Sequence, residues 1–425
     1  MLTGNFFTQF TGDPAKAAFC VNIMSALLSA LCILFLFWTI TMLTRKLWMK
    51  EDEDAPLVNK VGVLLSGLIG ALAYTFTESF WFSAVEGEVY AMSSFFTAVT
   101  FWAILKWERV ADTTYSFRWL IFIAFLIGLS IGVHLLNLLC IPAIVYVVYF
   151  KKYKKKSTWG FILAGILSII VLGFIEMLLI PQILNIAGKM ELFFVNSLGA
   201  PFHLGTIVYF LILTALIVWG LIATTRRKKV VLNTCILAFM FILIGYSSFF
   251  MLTIRANTNT PINENEPTDA LSLLSYINRD QYGGWPLLYG SYYTAEPIGT
   301  KKGNPTYVKD KEKGRYVMTD DGTSPTSLEY VYPKEMQSIF PRMWSTQRST
   351  HGNAYDSYRK DKRGSITGTP TKVRSYGGST GTALKPTFGQ NLKFFFSYQL
   401  HHMYWRYFMW NFVGRQNDIE SQGEI

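Results

Sequence analysis

Two carboxylates stand one residue apart in the segment WFSAVEGEVY (81–90), where Glu86 and Glu88 are rimmed by Trp81, Phe82 and Tyr90. Acids beside aromatic and apolar residues are costly to desolvate and mark functional positions in membrane proteins. They are candidate catalytic carboxylates. Spacing i, i+2 puts both on one face only in extended backbone, whereas on a helix they diverge by about 200°. The plainer alternative is a pair of wetted loop acids. His134 and Asn137, three apart in GVHLLN (132–137), are neighbours on a helical turn. They could donate to a headgroup phosphate or a sugar, or simply cap two short helices. Arg255 could grip a phosphate bidentately, or it could be an interfacial anchor that snorkels to headgroups. Glu176 either lines a cavity or pairs with a basic group. Tyr90, Glu191 and Asn196 are further candidates. The adjacent pair His401-His402 diverges on a helix, and no cysteine or spaced histidine completes a ligand set, so no metal is expected. No Walker loop, GxGxxG or HExxH occurs, which removes the common nucleotide and metalloprotease readings.

These residues must be positioned by elements that cross a bilayer. The chain is 51% hydrophobic with 16% charged residues, and the charge is uneven: residues 1–255 hold 31 of the 67 charged side chains. Uncharged runs of 17 or more residues recur through the front, and a hydrocarbon core of about 30 Å needs roughly 20 residues. A soluble enzyme is thereby excluded. The formal net charge of +11 does not imply nucleic acid, because the front-half basic residues sit in short loops between apolar runs. The expected fold is an α-helical polytopic membrane bundle over 1–255 with about eight crossings, near 17–43, 61–77, 89–105, 119–133, 138–150, 157–180, 205–225 and 230–254. Asp13-Pro14 reads as an N-cap with a first-turn proline.

The run 119–150 decides the topology. Split into two short helices at 134–137, it leaves 16 basic residues on one side, among them Lys50, Arg109, Lys154 and Lys228, and three on the other. As one span it leaves 9 and 10. The positive-inside rule favours the hairpin. Glu86, Glu88, the 132–137 apex, the 191–203 loop and everything after Arg255 then share the non-cytosolic face. The four cysteines, Cys20, Cys32, Cys140 and Cys235, all lie in apolar runs, so no disulfide framework supports the back half.

Residues 256–425 read as a polar, mixed and loop-rich extracytoplasmic region. A Pro/Asn turn segment (256–267) opens it, residues 269–293 read as a short amphipathic helix leading to an aromatic, strand-like run, and few aliphatics occur over 300–386. The stretch 388–413 is aromatic, but Lys393 and Arg406 argue against a span. An interfacial helix with rings at headgroup depth fits it better.

The blocks ESFWFSAVEGEVYAMSSFFTAVTFWAILKWE (78–108), IGLSIGVHLLNLLCIPAIVYVVYF (127–150), ELFFVNSLGAPF (191–202), LSLLSYINRDQYGGWPLLYG (271–290) and YWRYFMWNFVGRQNDI (404–419) together resemble the bacterial protein O-mannosyltransferase-like membrane proteins. The resemblance implies a GT-C type bundle in the bacterial inner membrane, with residues 256–425 in the periplasm. It implies transfer of a sugar, mannose, from a polyprenyl-phosphate donor to Ser/Thr hydroxyls of exported proteins, with no further cofactor. Members of that family carry an earlier crossing and an acidic Asp-Cys-Gly-Glu-Phe motif. The sequence MLTGNFF begins after that motif, so the family's catalytic Asp falls on no residue here, and an upstream fragment is an expected partner. Lipid-linked sugar, exported acceptors and membrane lipids are the other expected partners. Two other classes compete: a secondary transporter using Glu176 and His134, and a non-catalytic scaffold. The absence of internal repeats and the gathering of polar groups on one face weigh against the transporter.

Overall fold

Long runs of Leu, Ile, Phe and Val satisfy their backbone polar groups internally by forming helices, the form an apolar solvent demands. In the computed structural model, which describes residues 13, 16–49, 56–258, 260, 262–280, 286–324, 327–374, 378 and 380–413, these runs are α1 (Ala17–Trp48), α2 (Leu57–Thr75), the short α3 (Glu78–Val85), α4 (Val89–Val110), α5 (Phe117–Ile131), α6 (Cys140–Lys152), α7 (Thr158–Gly173), α8 (Ile180–Leu192), α9 (Leu204–Arg226), α10 (Val230–Tyr246) and α11 (Phe250–Ala256). Among the described residues, seven helical stretches are long and apolar enough to cross a membrane, and α5 is a shorter apolar helix beside them. Pro14 and Lys50 lie outside the described residues. At α1 the Asp13 carbonyl accepts from the Lys16 amide, 3.1 Å.

The run 119–150 breaks as the charge count requires. α5 ends at Ile131, a 3₁₀ turn spans Leu135–Leu139, and α6 starts at Cys140. The two helices are antiparallel, since Lys151 at the end of α6 pairs with Asp112 just ahead of α5, 3.0 Å. Lys152 donates to the Ala111 carbonyl, 2.7 Å. The Lys151 hydrogen bond and charge hold the Asp112 carboxyl below its usual range. Lys46 at the end of α1 pairs with Glu108 at the end of α4. The basic ends of α1, α4 and α6 are therefore tied together by charge.

α7 and α8 form one long helix interrupted by a π-helical segment, Phe174–Leu179. Pro181, in the first turn of α8, cannot donate a helical hydrogen bond, which accounts for the wider turn ahead of it. The core collects Ile104 and Trp107 of α4, Ile127 of α5, Ile141 of α6, Ile183 of α8 and Tyr246 of α10.

The chain forms two compact units: residues 1–194 with 203–278, and residues 195–202 with 279–425. The helical unit continues past residue 255 to Asn278 because α12 (Ala270–Asn278) buries Leu273 and sets Leu271 against Gly188 of α8. Asp269 caps α12, accepting from the amides of Leu271 and Ser272 at 2.9 and 3.0 Å.

The second unit is built on a nested antiparallel ribbon. β3 (Thr306–Asp310) pairs with β4 (Arg315–Asp320), β2 (Gly299–Lys301) with β5 (Glu329–Val331), and β1 (Tyr289–Ser291) with β6 (Gln337–Ile339). A second hairpin joins β7 (Thr369–Arg374) to β8 (Thr380–Lys385). α13 (Ser349–Ser357) and a helix of three parts, α14 (Phe388–Phe394), a π-helical stretch (Phe395–Trp405) and α15 (Arg406–Met409), complete the unit.

Candidate functional site

Glu86, Glu88, Tyr90, His134 and Arg255 belong to the end of the helical unit away from the Lys46 and Lys151 pairs. α3 stops at Val85. Glu86 (φ −103°, ψ 144°) and Glu88 (φ −101°, ψ 167°) both have extended backbone, so the divergence a helix would impose is absent. Gly87 between them packs on the start of α1. A Cβ there would lie 3.0 Å from both Asn22 Oδ1 and Val21 Cγ1, so the turn is held close against that helix. Both carboxylates are exposed and make no hydrogen bond or ion pair among the described residues. They are available to a ligand.

One turn into α4, the Tyr90 ring lies 5.8 Å from the ring of His134. His134 is extended and caps the 3₁₀ turn, its Nδ1 accepting from the Leu136 amide at 3.1 Å. In the neutral ring this places the proton on Nε2, which is left as a donor. The apex also meets the end of α10: a Cβ on Gly132 would come within 2.5 Å of Ser248 Oγ. Arg255 lies seven residues beyond Ser248, about 10 Å further along a helix. Its Nε is buried and has no partner among the described residues. An uncompensated guanidinium of this kind is a natural anion receptor.

Three sequence candidates are occupied in holding the fold. Asn137 is fully buried, and its amide donates to Ser130 Oγ at 3.0 Å and Thr100 Oγ1 at 3.3 Å. It joins the hairpin to α4, and its Oδ1 is buried with no partner among the described residues. Glu191, also fully buried, accepts from the His203 amide and from the Thr206 amide at 2.9 Å and hydroxyl at 3.1 Å. It caps α9, whose preceding residue, His203, is left-handed at φ 73°. Asn196 brackets Tyr316 of β4, donating to its carbonyl and accepting from its amide, both 2.9 Å. Glu176 stands exposed in the π-helical segment and takes no part in the cluster. His401 and His402 assemble no metal site, and no group of three metal-ligating side chains occurs among the described residues.

The second unit holds a network the sequence did not single out. Arg359, 2% exposed, donates through Nη1 to Tyr293 Oη at 2.6 Å, through Nη2 to the Leu384 carbonyl at 2.8 Å and through Nε to the Thr367 carbonyl at 3.1 Å. Tyr293 donates in turn to Asp356. Burial, reinforced by that hydrogen bond to Asp356, pushes the Tyr293 hydroxyl up to about 12. These residues border an open cleft of about 530 Å³ together with Glu296 and Ile366. Tyr293 lies 63 positions from Asp356 and 66 from Arg359, so no local spacing announces it.

The helical unit defines a multi-pass membrane protein with an acid pair, a histidine donor and a free arginine at one end. Residues 1–157 match the family described as Protein O-mannosyl-transferase TMEM260 N-terminal domain. Over residues 1–157 the chain is therefore similar to an O-mannosyltransferase-like family, as the blocks at 78–108 and 127–150 implied. Residues 283–396 match a family of unknown function, DUF8416. No curated protein and no solved structure matches the chain.

Proposed function

We propose that the protein acts in membrane glycosyl transfer, moving a sugar, mannose, from a polyprenyl-phosphate donor to Ser/Thr hydroxyls of exported proteins on the non-cytosolic face. The family match over residues 1–157 carries this reading. The chemistry at the apex end supports it. A sugar phosphate brings its own leaving group, so transfer requires a base for the hydroxyl and positive charge or donors for the departing phosphate. Glu86 and Glu88 are free carboxylates suited to the first task. Arg255 and the His134 Nε2–H suit the second. Tyr90, against His134, offers a ring and a hydroxyl to a sugar.

The test is transfer from a polyprenyl-phosphate sugar to an exported acceptor by the complete protein, comparing wild type with Glu86→Gln, Glu88→Gln and Arg255→Gln. Loss of a placed base lowers the rate by about 10²–10⁴. The expected result is that at least one glutamine variant loses transfer in that range while its membrane level holds, and that Arg255→Gln raises the donor concentration required. Wild-type transfer by both Glu variants would reduce the acid pair to solvated loop.

A further inference from the structure

We propose that the helix over residues 388–413 is a second membrane contact of the protein, lying flat in the headgroup region of an anionic leaflet. It starts cleanly: Thr387 accepts from the Gln390 amide while the Gln390 side chain accepts from the Thr387 amide, a reciprocal cap. One side is fastened to its own unit. Asn391, fully buried, accepts from the Met343 amide at 3.2 Å and donates to Tyr292 Oη at 3.1 Å. Phe394 sits edge-on to Tyr355 and Tyr358, then stacks on Tyr398, which stacks on His402.

The other side is open among the described residues. Phe396, Leu400, Tyr404, Phe408 and Phe412, four residues apart, are 58, 38, 62, 42 and 59% exposed. Soluble proteins rarely leave such a stripe open, so something apolar covers it. Three observations select a bilayer surface. The exposed set includes Tyr404, Trp405 and Tyr407, whose rings carry polar tips, the chemistry of the membrane–water boundary. No Asp or Glu occurs from Lys362 to Asn417, while eight Lys and Arg do, so this stretch of the sequence is net positive. The chain also carries helices able to cross a bilayer, which keeps lipid within reach. The fastened side rules out a crossing, because Asn391, Phe394 and Tyr398 cannot face lipid while they hold the unit together.

The experiment uses the full chain in phosphatidylcholine vesicles with or without phosphatidylglycerol. An environment-sensitive fluorophore is attached at Tyr404→Cys, Phe408→Cys or, as a control in an exposed turn, Lys311→Cys. The background is Cys235→Ala, the other three thiols being buried. Nitroxide lipids labelled at the headgroup or at the bilayer centre serve as quenchers. The 404 and 408 probes are expected to be quenched by the headgroup label, and the 311 probe by neither. Removing phosphatidylglycerol should weaken the effect, and Lys393→Gln should lower the equilibrium constant for engagement by about fivefold, as one basic residue at a charged surface does. If the 404 and 408 probes behave like 311, the stripe is a face for another protein and the proposal fails. Quenching chiefly by the central label would overturn it in favour of a crossing helix. Tyr404→Asp with Phe408→Asp, read by a probe at 412, separates engagement from folding, since the 311 probe reports the unit's integrity.

Discussion

Gly245→Ala is the substitution on which the geometry of the apex end turns. α5 and α10 touch backbone to backbone. A methyl on Gly245 would lie 2.4 Å from the Leu129 nitrogen and 2.6 Å from the Gly128 carbonyl carbon and the Phe125 oxygen. One on Gly128 would lie 2.3 Å from the Ile242 oxygen. Ordinary contact needs 3.4–4 Å, so the helices must part by about 1 Å, and no flexible side chain can give way in their place. Overpacking of this kind costs about 1–3 kcal/mol. The gap forfeits roughly a quarter to a half of each neighbouring dispersion contact. The better helix propensity of Ala returns about 0.8–1 kcal/mol. A net loss of about 1 kcal/mol is expected. The same parting lifts Ser248 off Gly132 and shifts Arg255 relative to His134, and a misplacement of about 1 Å can cost roughly 10² in rate. The assay is thermal unfolding in detergent beside the transfer assay, with Gly173→Ala as the control. Gly173 is helical with nothing within 4 Å of its would-be methyl, so that variant should match or exceed wild-type stability. Wild-type unfolding and transfer by Gly245→Ala would refute the reasoning.

Single-cysteine labelling in membrane vesicles should place Arg109, Lys154 and Lys228 on one side and Glu88 and His134 on the other; reaction of position 154 from the side of Glu88 would break the hairpin. Glu191→Ala should destabilise the helical unit by about 2–4 kcal/mol, since it strips charge-assisted bonds from the start of α9 and strands buried donors; the unfolding temperature checks this, and an unchanged value would show that the cap is dispensable. Tyr293 links pH to the stability of the second unit. Its folded pKa, about 12, lies above the ordinary value of 10.0, so its contribution is complete below pH 10 and is lost as pH rises towards 12. Tyr293→Phe should flatten that part of the stability–pH curve, as read by near-ultraviolet dichroism.

Local chemistry carried much of this protein into view. Apolar runs must become helices in lipid, and charge parity alone demanded a break near His134, which falls between Ile131 and Leu135 because the apex keeps polar groups there. The extended backbone found at Glu86 and Glu88 is the one of the two conformations allowed by their spacing that lets both share a face. What spacing could not reveal was which polar residues are consumed by the fold. Asn137, Glu191 and Asn196 resemble ligands in the sequence, yet their partners, Thr100, His203 and Tyr316, lie 37, 12 and 120 positions away. Only packing decides whether a side chain spends its hydrogen bonds inside or keeps them for a ligand. The glycine contact that aligns α5 with α10 is of the same kind: Gly128 and Gly245 look like any glycines in apolar helices until the two backbones meet. The Tyr293–Asp356–Arg359 network was hidden for the same reason, since burial and pairing across long separations belong to the tertiary structure alone.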